Sequence, residues 1–364
     1  MTSATQPLTA WATAGIPGAQ RVDHIALTVP DLDAAVAFAV ETLGGQVAYR
    51  LPPLTRDDDW MREKLDVHPR ASATIALVRL GPVTNLELFE YTAPDHDPVP
   101  PPPSRPGCQV LGLAVDDVET AAAALVAGGA RAAGPVVTAP PSSPRAGTRW
   151  TRLVAPWGLP IELRTTPEPL PYERDTAARR HSPAPYWTNH DDGPPEPTPV
   201  PGLHCVDHVG YTVADLDAAL AVWTGVLGAE LLYRVDDEPG LDAGRPVAHA
   251  ALRMGPTDNV ELWSPAGAAG EPPRNSDVGG RHLAIHVEDV DAAAAYLAAR
   301  PGFAVLGTPE TIEDGPIAGD RWVYVRSPLG LHIELVRMPD GALPYERESA
   351  GRRRAAGNLR WTER

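Results

Sequence analysis

The sequence predicts an α+β fold assembled from four βαβββ modules in two tandem halves, and three observations lead there. First, long stretches recur: RVDHIALTVPDLDAAVAFAVETLGG (21–45) matches CVDHVGYTVADLDAALAVWTGVLGA (205–229), VTNLELFEYTAP (83–94) matches TDNVELWSPAGA (257–268), and WGLPIELRTTPEPLPYER (157–174) matches LGLHIELVRMPDGALPYER (329–347). Second, a shorter frame recurs inside each half, CQVLGLAVDDVE (108–119) in the first and GRHLAIHVEDVD (280–291) in the second. Third, apolar residues alternate as in strands before each acidic turn, and Ala-rich helical stretches follow it. One ancestral unit, itself a pair, has been duplicated.

Taken in order, the third module reads as a strand at VDHVGYTV, a helix at DLDAALAVWTGVLG with an Asp cap and a terminal Gly, and strands at ELLYRV, VAHAALRM and NVELWS. The fourth repeats the order with HLAIHV, DVDAAAAYLAAR, FAVLG, RWVYVRS and LHIELVR. The modules fall near 21–95, 107–166, 203–266 and 279–339. The sequence therefore predicts an N-terminal extension (1–20), a first domain (21–166), a Pro-rich linker (167–202), a second domain (203–340) and a basic tail (341–364).

At 364 residues, 43% hydrophobic and 21% charged, each half is large enough to bury a core. The 42 prolines cluster in PDHDPVPPPPSRPG (94–107), APPSSPRAG (139–147) and DDGPPEPTPVPG (191–202), which read as stiff, extended connectors. A net charge of −16 repels polyanions, so nucleic acid is not an expected partner. The start, MTSATQPLTAWATAG, has neither the basic nor the apolar region of a signal peptide, and no apolar run is long enough to span a membrane, so a soluble, cytoplasmic protein is expected. Cys108 and Cys205 form no metal-binding pattern.

Chemistry enters with polar residues at fixed places in the strands. His208 and Glu261 stand on the first and last strands of module three, and His282 and Glu334 on those of module four. Two imidazoles and two carboxylates amid apolar residues cost several kcal/mol unless they share a cation, which predicts a divalent metal held by His208, Glu261, His282 and Glu334.

The modules carrying VDHVGYTVADLDAAL, NVELW, GGRHLAIHVEDVDAA and SPLGLHIELV resemble the vicinal oxygen chelate superfamily, the group of glyoxalase I, methylmalonyl-CoA epimerase, extradiol dioxygenases and fosfomycin-resistance proteins. The resemblance covers nearly the whole chain outside the Pro-rich connectors and the tail. It implies two half-open eight-stranded barrels, each made of two modules, with a metal at the centre that chelates two neighbouring substrate oxygens. In the first half His24, Glu87 and Glu162 match the ligand positions, but Val110 stands where module four has His282, so one intact site is expected. Modules of this superfamily pair in sequence or swapped. Sequential pairing is the expectation adopted; swapped pairing would give His24, Glu87, His282 and Glu334 instead.

Four protein ligands leave two octahedral positions, enough for a bidentate hydroxyketone. The expected reaction moves a proton alpha to the carbonyl of a small polyhydroxy ketone through a metal-bound enediolate, with Glu261, Glu334 and His249 as the catalytic side chains. The metal is expected to be zinc, ahead of nickel, cobalt, manganese or iron. The tandem layout with one intact site resembles the epimerases that act on C7 cyclitol ketoses such as 2-epi-5-epi-valiolone. The alternatives are an extradiol-type dioxygenase, a glyoxalase-type lyase and a small-molecule binding or resistance protein. Among neighbouring residues, Arg321, Trp322 and Tyr324 lie on the strand before Glu334, so alternate ones face the barrel. Glu238 and Asp242 are candidates for an opposite-face base, and Asn85 and Asn259 for turn residues. The expected partners are a small-molecule substrate and a second copy of the chain, as a homodimer.

Overall fold

The computed structural model describes residues 15–182, 184–190, 194–238, 247–353 and 360–362. Module one comprises β1 (Ala19–Thr28), α1 (Leu32–Ala37, running into a π-helical turn, Phe38–Thr42), β2 (Gln46–Leu54), α2 (Trp60–Leu65), β3 (Ser72–Leu80) and β4 (Thr84–Thr92). Module two comprises β5 (Gln109–Val115), α3 (Val118–Ala127), β6 (Arg131–Ala132), β7 (Val137–Thr138), β8 (Arg149–Val154) and β9 (Pro160–Thr165), followed by α4 (Pro171–Asp175). Module three has β10 (Leu203–Thr212), α5 (Leu216–Gly225), β11 (Glu230–Glu238), β12 (Val247–Met254) and β13 (Asp258–Pro265). Module four has β14 (Arg281–Val287), α6 (Val290–Ala298), β15 (Ala304–Val305), β16 (Glu310–Thr311), β17 (Arg321–Arg326) and β18 (His332–Arg337).

The four module helices start by one device. Asp31, Asp117, Asp215 and Asp289 each take an extended backbone and accept from the N–H three residues on, at Ala34, Thr120, Ala218 and Ala292. Each cap satisfies one of the open N–H groups of a first turn, for about 1 kcal/mol. The first strands, β1, β5, β10 and β14, lie in mid-sheet and are buried almost throughout, so the polar side chains they carry, Asp23, His24, Asp207, His208 and His282 among them, are held inside.

The modules form two open mixed sheets of nine strands, one more than the eight of the expected barrels, because modules two and four each split their second strand into two short pieces. One sheet runs β15-β17-β18-β14-β1-β4-β3-β2 with β16 beside β17, and the other β11-β12-β13-β10-β5-β9-β8-β6 with β7 beside β8. The central seams are antiparallel: β1 against β14 and β10 against β5. Module one therefore shares a sheet with module four, and module two with module three. This corrects the sequential pairing and, with it, the division into two contiguous domains (21–166 and 203–340).

The connector between modules one and two gives the physical reason. Residues 98–106 include six prolines, which cannot donate to a strand ladder and restrict the turns by which the chain could return β5 to β1. It crosses instead from one sheet to the other. Val278 N–H donates to the Asp97 carbonyl at its start (2.8 Å), and Gly107 N–H donates to the Thr212 carbonyl at its end (2.6 Å).

The linker and the tail are more than spacers. Each starts with a short helical turn, α4 in the linker and a 3-10 turn (Pro344–Arg347) in the tail, and each then places a buried arginine, Arg180 or Arg353. Each later sets a tryptophan indole on a glycine carbonyl of a module-one or module-three turn: Trp187 on Gly44 (3.1 Å) and Trp361 on Gly228 (2.9 Å). No helix among the described residues is long and apolar enough to cross a membrane.

Candidate metal centre and its filled counterpart

The seam between β1 and β14 aligns His24 with Ala284 and Ala26 with His282, so the two imidazoles point from adjacent strands into one layer. The parallel partners complete it: Glu87 on β4 is paired with Ala26, and Glu334 on β18 with Ala284. His24 Nε2 lies 3.0 Å from His282 Nε2, 3.2 Å from Glu87 Oε2 and 3.0 Å from Glu334 Oε2. His282 Nε2 lies 3.2 and 3.3 Å from the same two carboxylate oxygens. Five of the six pairs among four donors are thus short, and the sixth lies within 4.8 Å. Four corners of an octahedron with bonds of about 2.1 Å give five edges of about 3.0 Å and one opposite pair of about 4.2 Å, whereas a tetrahedron would give edges of about 3.4 Å. The donor set and its spacing therefore fit a six-coordinate divalent cation with two adjacent positions free.

The surroundings reinforce this. His24 Nδ1 donates to Asp23 Oδ1 at 2.8 Å, which leaves the Nε2 lone pair facing the cluster. Burial alone would lower the His24 pKa, yet Glu87, Asp23 and Glu334 hold it well above the usual histidine value. Burial likewise pushes against ionisation of Glu87 and Glu334, and the imidazoles outweigh it, keeping both carboxyls below their usual range. The Tyr324 hydroxyl sits 3.3 Å from His282 Nδ1. Asn85, read as a turn residue, donates instead to the carbonyls of Asp23 (2.7 Å) and Arg353 (3.0 Å), tying the ligand strand to the tail.

Glu87 and Glu334 reach a cavity of about 920 Å³ whose walls include Trp60, Phe89, Trp322, Tyr324, Ile75 and Glu310. Trp322 and Tyr324 face it, as strand alternation requires, while Arg321 points away and pairs with Asp291 on the surface (2.8 Å). Trp60 Nε1 donates to Glu310 Oε2 (3.0 Å), and Lys64 pairs with Oε1 (2.8 Å), closing one side of the cavity.

His208 and Glu261, placed with His282 and Glu334 by the sequential expectation, lie in the other sheet and do not join them. They meet Glu162 in a second cluster, at the β5–β10 seam. There Val110 occupies the place His282 has in the first, across from Gly210. A cation is already present: Arg164 donates to Glu162 Oε1 (2.5 Å) and to both oxygens of Glu261 (2.6 and 2.9 Å), and Arg152 pairs with Glu162 Oε2 (3.3 Å). His208 keeps its Asp207 contact (2.9 Å), and its ring lies where a Cβ on Gly112 would stand, 2.0 Å from Cε1, so only glycine fits there. His249, expected to relay protons at the metal, belongs to this cluster; it is fully buried, stacked on Trp263 at 3.8 Å and 3.3 Å from Glu261 Oε2. Asn259 repeats the Asn85 arrangement, donating to the Asp207 and His181 carbonyls. Of Glu238 only the backbone is described, and Asp242 lies outside the described residues.

Three of the missed residues left a signal in the sequence. Arg164 interrupts an apolar strand, IELRT against IELVR. Arg180 and Arg353 stand at equal distances after the repeated LPYER.

The profile of the glyoxalase/bleomycin resistance protein/dioxygenase superfamily matches twice, over residues 21–163 and 207–324. A 2-epi-5-epi-valiolone epimerase from Actinomyces sp is 52% identical over 161 residues, covering 41% of this chain and 87% of that protein. The uncharacterised protein YaeR of Escherichia coli is 30% identical over 134 residues, 37% of this chain and 96% of its own. Among solved structures, glyoxalase I of Zea mays superposes with a TM-score of 0.55 at 19% identity, covering 87% of this chain and 92% of its own.

Proposed function

Because the chain belongs to the glyoxalase/bleomycin resistance protein/dioxygenase superfamily, we propose that it is a metal-dependent epimerase of a small polyhydroxy ketone, with a C7 cyclitol ketose such as 2-epi-5-epi-valiolone as the best candidate substrate. The observation that supports this most is the convergence of His24, Glu87, His282 and Glu334, with two carboxylates opening onto a roomy cavity. The 52% identity to an epimerase of that substrate supports the choice of ketose.

In this reading His24, Glu87, His282 and Glu334 hold the cation, with zinc the first choice. When bound, a divalent cation supplies electrostatic stabilisation to negative charge that develops on a carbonyl oxygen. The protein does the rest. Glu87 and Glu334 enter the cavity from β4 and β18 and are the carboxylates available to move the proton; Glu261 and His249 have no part, since both sit against Arg164 and Trp263 in the other sheet. One carboxylate takes the proton from the carbon next to the carbonyl, the electron pair left behind forms the carbon–carbon double bond of an enediolate, the other carboxylate delivers a proton drawn from solvent to the opposite face to give the epimer, and the first releases its proton to water. The Tyr324 hydroxyl, beside His282 and on the cavity wall, orients a substrate hydroxyl. Trp60, Phe89 and Trp322 exclude water and pack the C–H faces of the ring.

A dioxygenase needs a face of two histidines and one carboxylate with room for oxygen and a chelated substrate together, and the second glutamate fills a position that reaction requires. The test is to incubate the protein with the ketose in D2O, with zinc, nickel, cobalt or manganese supplied, and to follow the alpha proton by NMR. Exchange with appearance of the epimer, abolished by a chelator, is expected; a metal-loaded protein that exchanges nothing overturns the reading. Light scattering checks the homodimer.

A further inference from the structure

The tail that follows the last strand reaches the candidate metal centre. Arg353, 2% exposed, donates from Nε to Asp23 Oδ1 (2.5 Å) and from Nη1 to Asp320 Oδ2 (2.6 Å), and its Nη1 also lies 3.4 Å from the Tyr49 hydroxyl. Its backbone is fixed as well: its N–H donates to the Tyr345 hydroxyl (2.7 Å), and its carbonyl accepts from Asn85 (3.0 Å). Asp23 Oδ1 therefore receives two donors, Arg353 Nε and His24 Nδ1. Three links run from the tail to a ligand atom: guanidinium to carboxylate, carboxylate to imidazole, and imidazole Nε2 to the cluster.

We propose that Arg353 is a positioning residue for the metal, acting through Asp23 to fix the ring of His24, so that the C-terminal segment is a working part of the site. The inference rests on the metal-centre reading above. Without Arg353, Asp23 keeps His24 Nδ1 and only the longer contact to Arg21 (3.8 Å); clamped between Arg353 and His24 it presents one oxygen to Nδ1 and holds both the tautomer and the direction of Nε2. Module three contains the same arrangement without the metal set: Arg180 Nη1 donates to Asp207 Oδ1 (2.7 Å), Asp207 Oδ2 accepts from His208 Nδ1 (2.9 Å), and Arg164 supplies the cation beyond. A purely structural role would be shared by Arg180 and Arg353; a role in metal holding belongs to Arg353 alone.

The experiment compares the full-length protein with Arg353→Met, Arg353→Lys and Arg180→Met. It measures cobalt(II) affinity by chelator competition, the visible spectrum of the bound cobalt, and thermal stability. Loss of the direct outer partner of a ligating histidine, here Asp23, weakens metal binding by roughly 10- to 100-fold, and Arg353 stands one link further out, so a loss of up to about 10-fold is expected for it. Arg353→Met is expected to show that loss and a changed cobalt spectrum, with Arg353→Lys, which keeps a donor to Asp23, in between. Arg180→Met is expected to lower the melting temperature and leave cobalt affinity and spectrum as in the unaltered protein. Equal cobalt affinity and spectra in Arg353→Met and the unaltered protein overturn the inference, as does an equal loss in Arg180→Met. Failure of the unaltered protein to bind cobalt at all overturns the metal-centre reading instead.

Discussion

His24 Nε2 and His282 Nε2 lie 3.0 Å apart although 258 positions separate the residues in the chain. With His24 Nδ1 donating to Asp23, two ring nitrogens at that distance share either a proton or a cation, and charge decides between them. Around this pair stand four buried carboxylates, Asp23, Glu87, Asp320 and Glu334, against two guanidinium groups, those of Arg21 and Arg353. Around the second cluster three carboxylates, Glu162, Asp207 and Glu261, are matched by Arg152, Arg164 and Arg180. The first cluster is short of about two positive charges, the charge of one divalent ion, and the second is already balanced.

Removing a ligand separates the two clusters. His282→Ala is expected to weaken metal binding by more than about 100-fold and to slow alpha-proton exchange by about 10²- to 10⁴-fold. His208→Ala is expected to leave both unchanged. Metal content by mass spectrometry and exchange by NMR check the pair, and the opposite order would assign the chemistry to the wrong sheet.

Arg164 is expected to be structural. Arg164→Met leaves Glu162 and Glu261 buried without their main counter-ion, a loss of about 3–5 kcal/mol read by chemical denaturation. Metal per chain stays at one. Adding Val110→His to that variant supplies the missing imidazole, and a second metal per chain is then expected.

Metal binding depends on pH with a definite sign. His24 without metal binds a proton more tightly than a free histidine, so its protonated form adds stability that is fully present below about pH 6.5 and lost as pH rises through its raised pKa. A metal must displace that proton. Affinity is therefore expected to rise with pH up to that raised pKa and to level off above it, and calorimetry at pH 7 in buffers of different ionisation enthalpy should record proton release. Glu87 and Glu334 act oppositely: their lowered pKa values give stability above about pH 4.5 that disappears as pH falls below it.

The cavity wall is expected to divide binding from chemistry. Tyr324→Phe removes one hydroxyl beside His282 and should reduce kcat by up to about 10-fold with metal content unchanged. Trp60→Ala opens the wall held by Glu310 and should raise KM more than it lowers kcat. Steady-state kinetics with the ketose gives both.

Much of this was legible in the chain. The four modules, their Asp caps and the identity of the donor residues follow from repeats and alternation, because these are local patterns. Which modules share a sheet is not local: β1 meets β14 and β5 meets β10 through buried apolar faces that would serve either pairing. A trace lay in the prolines of residues 98–106, which cannot join a strand ladder and restrict how the chain returns. The same cause misplaced His208, Glu261 and His249, whose residue types suit a metal and whose neighbour Arg164 arrives from module two. Arg353 was hidden differently: a basic tail reads as solvated, and its burial depends on Asp23 and Asp320, more than 30 positions away.

The proposed function places one cation among His24, Glu87, His282 and Glu334. Crystals of the protein grown with its metal and measured on both sides of that metal's absorption edge test it directly. A single anomalous peak bonded to those four side chains, with none between Glu162, His208 and Glu261, is expected; a peak in the second cluster, or a bare first one, would overturn the metal-centre reading.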